Sequence, residues 1–250
     1  MAGALDETIA RMEAIGRALP AGDGVGYFNF LYLEVTRELS RRLGGSGFDD
    51  PGFAERLTVV FAGAYFRAVD SPPGGGSRAW RPLFEARRNR RIAPVQFALA
   101  GVNAHINYDL PIAVVDTCAA LGRAPRDGSP EHRDYLRVNA ILAEVQERVK
   151  PRLLPGGLGV LDRAFGNLDD VVAMFSVERA RDAAWLHAKS LWRLRDEPEL
   201  TAAYRETLER SVGLAGRGLL VPTLLGLSGW AAQRERMPAP VKRLLGAPRV

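Results

Sequence analysis

Apolar residues along most of the chain recur at intervals of three and four positions, which places them on one face of a helix. One such stripe consists of Phe28, Leu31, Val35, Leu39 and Leu43. Similar stripes predict further helices in residues 5–16, 53–68, 80–88, 95–121, 135–149, 168–195 and 198–212. No segment alternates apolar and polar residues as a strand does. The pattern therefore predicts an all-α fold, a single bundle of roughly eight to ten helices.

Proline and glycine mark where the predicted helices begin and end. Asp50-Pro51 and Ser129-Pro130 each combine a capping side chain with a proline at the first helical position. Residues 71–77 form a loop of serine, proline and glycine that is too short to separate domains. Prolines also interrupt the end of the chain repeatedly. We therefore expect one bundle domain in residues 1–215 and an irregular tail, residues 216–250, that packs on the bundle or on a partner.

The most informative segment is a run of polar side chains inside the apolar helix predicted for residues 95–121. Asn103, His105, Asn107 and Asp109 follow one another at every second position. Buried polar groups are unfavourable unless they are paired, so this run predicts a site. His105 and Asp109 are one helical turn apart and can meet on a side whose other residues are small or apolar. Both side chains are therefore expected to face the interior.

Two residues of the same segment predict a special backbone. Gly101 allows a neighbouring helix or a ligand to approach closely. Pro111 cannot donate a hydrogen bond, so we expect the central helix to be kinked near it. At about 100° per residue, Asp116 returns to nearly the same bearing as His105 and is placed in the same pocket. Asn103 and Asn107 lie on another bearing, where they brace a neighbouring helix or orient His105.

Three roles remain open for His105 and Asp109. They could be two ligands of a divalent metal ion, with the other ligands supplied by other helices. They could be an acid–base histidine and its orienting carboxylate. They could also be a buried structural pair that fixes helix register. The first two roles predict an enzyme that acts on a small or lipid-like molecule in a pocket between helices. The third predicts a non-catalytic helical binding or scaffolding protein.

Three further residues are candidates for the pocket wall. Asp134 is expected to turn inward because Tyr135 beside it belongs to an apolar stripe. Trp185 belongs to a stripe that fits either an aromatic pocket wall or the flank of an amphipathic helix. His187 lies on an apolar face, where a histidine is either a hydrogen-bonded core residue or part of the site.

Composition narrows the class of protein only slightly. Lysine and arginine total 34 against 29 acidic residues, which gives a net charge of +5. Nearly all the basic residues are arginine, as the codon usage of a GC-rich genome produces. The densest run, Arg87-Arg88-Asn89-Arg90-Arg91, reads as a solvated helix end, so no nucleic-acid partner is expected.

The single cysteine, Cys118, cannot form an intrachain disulfide, and a cytoplasmic location is expected. The first residues lack the pattern of a secretory signal. The longest apolar stretch, residues 219–230, is too short to cross a bilayer, so no transmembrane segment is expected. It could instead pack on the bundle or on a second subunit, which makes a homodimer possible.

The run from Pro94 to Pro111 contains Asn-Ala-His-Ile-Asn at 103–107, then Asp109-Leu110. It resembles the signature of an uncharacterised bacterial family, found mainly in actinobacteria and described as a domain of unknown function. Similar features occur in residues 28–36, 80–84, 134–139 and 184–185, so the likeness covers most of residues 4–194. The resemblance implies a helical, cytoplasmic protein with His105 and Asp109 at matching positions. It implies no known reaction.

A fainter likeness is to the helical zinc phosphodiesterases of the phospholipase C and S1-nuclease type. Their His-x-x-x-Asp motif also lies on a helix before a proline. This chain has only three histidines and lacks the N-terminal tryptophan and secretory signal of those enzymes. A trinuclear zinc site is therefore not expected.

Overall fold

The computed structural model describes residues 2–45, 47–153 and 176–222, and every regular element in these ranges is helical. The elements are α1 (Ala2–Ala18), α2 (Gly24–Leu43), α3 (Pro51–Asp70), α4 (Arg81–Ala86), α5 (Pro94–Ala104), a π-helical turn (His105–Asp109), α6 (Leu110–Ala120), α7 (Pro130–Leu153), α8 (Val177–Leu194) and α9 (Pro198–Leu219). The helices pack together as one bundle. The predicted all-α bundle is thereby confirmed.

Aspartates at helix starts explain where two of the long helices begin. Asp23 accepts a hydrogen bond from the backbone N–H of Val25 at 2.9 Å and so caps α2. Asp50 accepts from the N–H of Phe53 at 3.0 Å and caps α3, with Pro51 in the first turn as the sequence predicts. Asp23 also accepts from Nε of Arg87, which fixes the end of α4 against the start of α2.

Helices α5 and α6 form the centre of the bundle, and α2 packs closely along α5 through two glycines. A Cβ atom at Gly101 would lie 2.4 Å from the ring of Phe28, and one at Gly24 would lie 2.4 Å from the ring of Phe97. Each glycine thus leaves room for a phenylalanine of the other helix. This confirms that Gly101 admits a neighbouring helix, here α2.

Helix α7 closes one side of the bundle and runs antiparallel to α2. Its apolar stripe packs against α2 and α5 in a cluster that includes Val35, Ala98 and Val145. Glu38 accepts hydrogen bonds from Arg42 and, at 3.2 Å, from Arg148 of α7. These contacts hold the outer edge of α7 beside α2.

Helix α9 lies across α5 and continues to Leu219, beyond the expected domain end at residue 215. Gln96 of α5 donates to the carbonyls of Leu219 and Val221, at 2.9 and 2.7 Å. The chain therefore contacts the bundle at least as far as Val221. The rest of the predicted tail, residues 223–250, and the first part of the helix predicted for 168–195 lie outside the described residues. Within the described ranges, none of the helices has the length and apolar content needed to cross a bilayer.

Candidate functional site

The polar run lies where the central helix changes from α to π geometry. The backbone N–H of Leu110 donates to the carbonyl of His105, five residues earlier. Pro111 follows at once and has no N–H to continue the α-helical pattern. The sequence predicts a kink near Pro111, and the structure has a π-turn immediately before that residue. Such turns occur often at functional sites.

Asp109 binds two side chains with one oxygen. Its Oδ2 lies 2.9 Å from Nδ1 of His105 and 2.9 Å from Nε1 of Trp80. Because an ionised carboxylate only accepts hydrogen bonds, the proton of neutral His105 lies on Nδ1. The lone pair available for chemistry is then on Nε2. The predicted meeting of His105 and Asp109 is present in the structure.

Aromatic rings enclose the imidazole of His105. The ring stacks on Phe61, with centroids 3.5 Å apart, and meets Tyr32 edge-on at 4.5 Å. Phe28 and Trp80 complete this surround at 5.7 and 5.8 Å. His105 is only 2% exposed. Burial lowers the pKa of His105 below its ordinary value, and the hydrogen bond to Asp109 opposes this effect only in part. The imidazole is therefore neutral at neutral pH.

Nε2 of His105 and the hydroxyl oxygen of Tyr32 are both buried without a hydrogen-bond partner in the described structure. The rings of these two residues are in contact, although the residues are far apart in the sequence. Leaving such an atom unpaired in the interior costs about 1–3 kcal/mol. Burial raises the pKa of Tyr32 well above its usual value, so its hydroxyl keeps its proton. The site thus presents one base, Nε2, and one donor, the phenol.

Both atoms belong to residues that line an apolar cavity of about 190 Å³ between α2, α3, α5, α7 and α8. The cavity is larger than an engineered cavity of about 150 Å³ that binds benzene. Its lining residues on α7 extend from Asp134 to Leu153, roughly 28 Å of helix at about 1.5 Å per residue. The cavity is therefore elongated, and we call it the apolar cavity.

A second cavity of about 240 Å³ lies on the other side of Asp109 and is polar. Its lining includes Arg67, Tyr108, Asp109, Asp116 and Arg205. We call it the polar cavity. The carboxylate of Asp109 thus lies between the two cavities, and only the histidine side of the pair faces the apolar one.

Asp116 lines the polar cavity beside Asp109 and does not line the apolar cavity with His105. The prediction that His105 and Asp116 point in nearly the same direction assumed a continuous α-helix. The π-turn inserts one residue between them, which changes the bearing of later residues by about 100°.

Asn103 and Asn107 form a chain of hydrogen bonds that leads away from His105. Nδ2 of Asn107 donates to Oδ1 of Asn103 at 3.0 Å, and Nδ2 of Asn103 donates to the carbonyl of Val212 at 2.9 Å. The two amides therefore brace α9 against α5. Of the two alternatives for these residues, the contacts support bracing, and the orientation of His105 is set instead by Asp109.

Asp134 lines the apolar cavity, but its carboxylate is occupied. It accepts hydrogen bonds from the backbone N–H groups of Asp49 and Asp50, at 2.8 and 2.6 Å, and from Arg137 at 2.6 Å. Asp134 thus holds the loop before α3 against α7. Its proximity to the cavity agrees with the prediction, while its contacts are structural.

Trp185 and His187 line neither of the two cavities. Nε1 of Trp185 donates to Asp127 at 2.9 Å, and Nδ1 of His187 lies 2.7 Å from the hydroxyl of Tyr204. Both residues tie α8 to neighbouring segments. The hydrogen-bonded core alternative for His187 agrees with this contact.

A divalent metal at His105 and Asp109 finds no third ligand within the described ranges. No group of three or more histidine, cysteine, aspartate or glutamate side chains there is arranged to hold a metal ion. The facing atoms of His105 and Asp109 also bind one another. The metal hypothesis stays a prediction, and the geometry favours acid–base chemistry.

The residues that complete the site come from distant parts of the chain. Trp80 precedes α4, Tyr32 lies on α2 and Phe61 lies on α3. Tyr32 follows Phe28 by four residues on an inward face, which could have indicated it. Nothing in the local sequence indicates that Phe61 stacks on the histidine.

A buried histidine, a tautomer-fixing carboxylate and an apolar cavity between helices define this protein as an all-α protein with a candidate acid–base site. The chain belongs to the family of unknown function DUF5995, whose match covers residues 5–222. Searches of curated proteins and of solved structures find no match.

Proposed function

We propose that this protein is an enzyme that uses His105 as a general base on a small or lipid-like molecule bound in the apolar cavity. The observation that carries the proposal is the unpaired Nε2 of His105, buried at the wall of that cavity, while Asp109 holds the opposite nitrogen. Nε2 is a buried acceptor without a partner, while Nδ1 on the other side of the ring donates to Asp109. A general base needs this arrangement before substrate binds.

The residues divide the chemistry in a simple way. Nε2 of His105 takes a proton from a substrate carbon or hydroxyl, and Asp109 stabilises the imidazolium that forms. The hydroxyl of Tyr32 donates to the substrate oxygen on which negative charge develops. Return of the proton to another substrate atom gives an isomerisation, and departure of a leaving group gives an elimination. The proposed class is therefore proton transfer by a lyase, cyclase or isomerase.

The surroundings suit this role. The largely apolar lining of the cavity lowers the local dielectric, which strengthens each electrostatic contact with a bound molecule. The lowered pKa of His105 keeps the base unprotonated at neutral pH. Burial raises the pKa of Cys118 to about 11, which keeps the thiol protonated, so Cys118 does not compete as a nucleophile.

The test is to incubate the purified protein with an extract of small apolar metabolites and to follow changes by mass spectrometry. We expect at least one compound to be converted by the wild type and not by His105→Gln. His187→Gln is the matched control, because that histidine lies away from both cavities. Equal conversion by wild type and His105→Gln would overturn the role of His105 as the base, and no conversion by either would count against an enzymatic role.

One observation favours a second candidate, a non-catalytic binding or scaffolding protein. Trp80 and His105 both bind Asp109, so the three side chains join the segment before α4 to the π-turn. A purely structural network predicts that His105→Gln lowers the free energy of unfolding by a few kcal/mol and changes no metabolite. Measuring stability and conversion on the same variant therefore separates the two candidates.

A further inference from the structure

A buried positive charge lies in the wall of the apolar cavity. Arg181 of α8 is only 4% exposed and lines the cavity together with Tyr135 and Val177. Arginine is rarely buried without a charged partner, since transferring an ion from water into the interior costs several kcal/mol. The contacts of this guanidinium therefore determine how its charge is stabilised.

Within the described residues, the side chain of Arg181 donates its hydrogen bonds to neutral groups. Nη2 donates to the carbonyl of Tyr135 at 2.6 Å, and Nε donates to Oδ1 of Asn139 at 2.6 Å. The guanidinium also lies over the ring of Tyr135, with its carbon 4.1 Å from the ring centre. In the part of the chain that the structure describes, no carboxylate lies within ion-pair distance of Arg181. Burial lowers the pKa of Arg181, and the electrostatic effects of Tyr135 and of the neighbouring Asp182 oppose this only in part.

The contacts also leave Arg181 able to bind more. Two hydrogen bonds use two of the five N–H donors of a guanidinium. The remaining donors match the planar, paired oxygens of a carboxylate. The tyrosine and asparagine contacts hold the side chain in place, so little further ordering is needed on binding.

Arg181 and His105 occupy different parts of the cavity. Asp134 binds the backbone immediately before α3, so its neighbour Tyr135, and with it Arg181, lies near the start of that helix. Phe61, which stacks on His105, lies ten residues further along α3. At about 1.5 Å per residue, the two positions are roughly 15 Å apart along the helix. An extended chain fits this arrangement better than a compact ring.

We infer that the apolar cavity binds a single-chain amphiphile whose carboxylate head pairs with Arg181 and whose hydrocarbon chain passes the His105 site. The inference rests on the proposed function, for which it names the substrate class. A carboxylate neutralises the single charge of Arg181, whereas a doubly charged phosphate head would leave a net negative charge in apolar surroundings. The chain, in turn, fills the apolar length of the cavity along α7.

Calorimetric titration tests the inference, with laurate and dodecyl phosphate below their micelle concentrations and dodecanol below its solubility limit. We expect the wild type to bind laurate at least tenfold more tightly than dodecanol and more tightly than dodecyl phosphate. Equal affinity for laurate and dodecanol would overturn the role of Arg181. Tighter binding of dodecyl phosphate than of laurate would overturn the carboxylate assignment. These comparisons need no variant.

Variants then locate the head group. Arg181→Gln should weaken laurate binding at least tenfold and leave dodecanol binding unchanged. Arg179→Gln, which changes an exposed arginine two residues away, should bind both as the wild type does. Thermal melting followed by circular dichroism shows whether Arg181→Gln is folded. A folded Arg181→Gln protein with wild-type laurate affinity would overturn the inference.

The two proposals can fail separately. Arg181-dependent laurate binding without any His105-dependent conversion would defeat only the proposed enzymatic role. His105-dependent conversion with laurate binding that ignores Arg181 would defeat only the assignment of the substrate class.

Discussion

Oδ2 of Asp109 lies 2.9 Å from Nδ1 of His105, within a π-turn that places the carboxylate between an apolar and a polar cavity. The same oxygen accepts the indole N–H of Trp80. Asp109 therefore fixes both the tautomer and the orientation of the imidazole.

Replacing Asp109 with alanine should reduce conversion by about 10²- to 10⁴-fold, because the imidazole loses both the acceptor that holds its proton on Nδ1 and the charge that stabilises the imidazolium. The rate of conversion of the compound found with the wild type measures this effect. ¹⁵N NMR of labelled histidine reports the tautomer directly. A variant with the proton still on Nδ1 and an unchanged rate would contradict the role of Asp109.

The Tyr32→Phe substitution should increase stability while reducing conversion. Removing a buried hydroxyl that has no partner should raise the free energy of unfolding by about 1 kcal/mol, as measured in urea. The rate should fall because the substrate oxygen loses its donor.

Tyr65→Phe is the matched control for that variant. The hydroxyl of Tyr65 donates to Asn29 at 3.0 Å, so its loss should lower the free energy of unfolding by about 0.5–1.5 kcal/mol. If Tyr32→Phe were destabilised as much as Tyr65→Phe, the hydroxyl of Tyr32 would have a structural partner, and its proposed catalytic role would lose its basis.

Burial of neutral His105 predicts a specific dependence of stability on pH. Its pKa in the folded protein lies below the ordinary value of 6.5, so the unfolded chain binds the proton first as the pH falls. The free energy of unfolding should therefore decrease from about pH 7 toward pH 5, and the acid limb of the conversion rate should lie below pH 6.5.

Urea unfolding of His105→Gln at both pH values isolates this contribution. The variant should lose less stability than the wild type between pH 7 and pH 5. His187→Gln should show a smaller difference, because His187 is only half-buried, although burial lowers its pKa too. An identical pH dependence in the wild type and His105→Gln would show that His105 does not titrate as described.

Asn103→Ala distinguishes bracing from orientation. The variant loses the hydrogen bond to the carbonyl of Val212 and should be destabilised by about 1–3 kcal/mol in urea unfolding. Conversion by the remaining folded protein should change no more than a few-fold. A stable Asn103→Ala protein with abolished conversion would instead show that the Asn103 amide takes part in the reaction.

Local spacing was sufficient to predict the helices and the contact between His105 and Asp109, because both follow from the geometry of one helical turn. It was not sufficient for Asp116, because the hydrogen bond that forms the π-turn depends on backbone geometry that no single residue specifies. The partners Trp80 and Phe61 come from other helices and become neighbours only in the folded bundle. The sequence did not indicate that Arg181 is buried, because an arginine on a helix is usually solvated.

The π-turn has a consequence for how this site can arise or disappear. It holds one residue more than an α-helical turn, while the helices on either side keep their packing faces. A one-codon deletion between His105 and Asp109 would leave a regular helix inside the same bundle and would shorten the spacing of the imidazole and its carboxylate from four residues to three. The scaffold can therefore outlive this geometry, and a relative that lacks the single insertion should fold alike while presenting a different His–Asp pair.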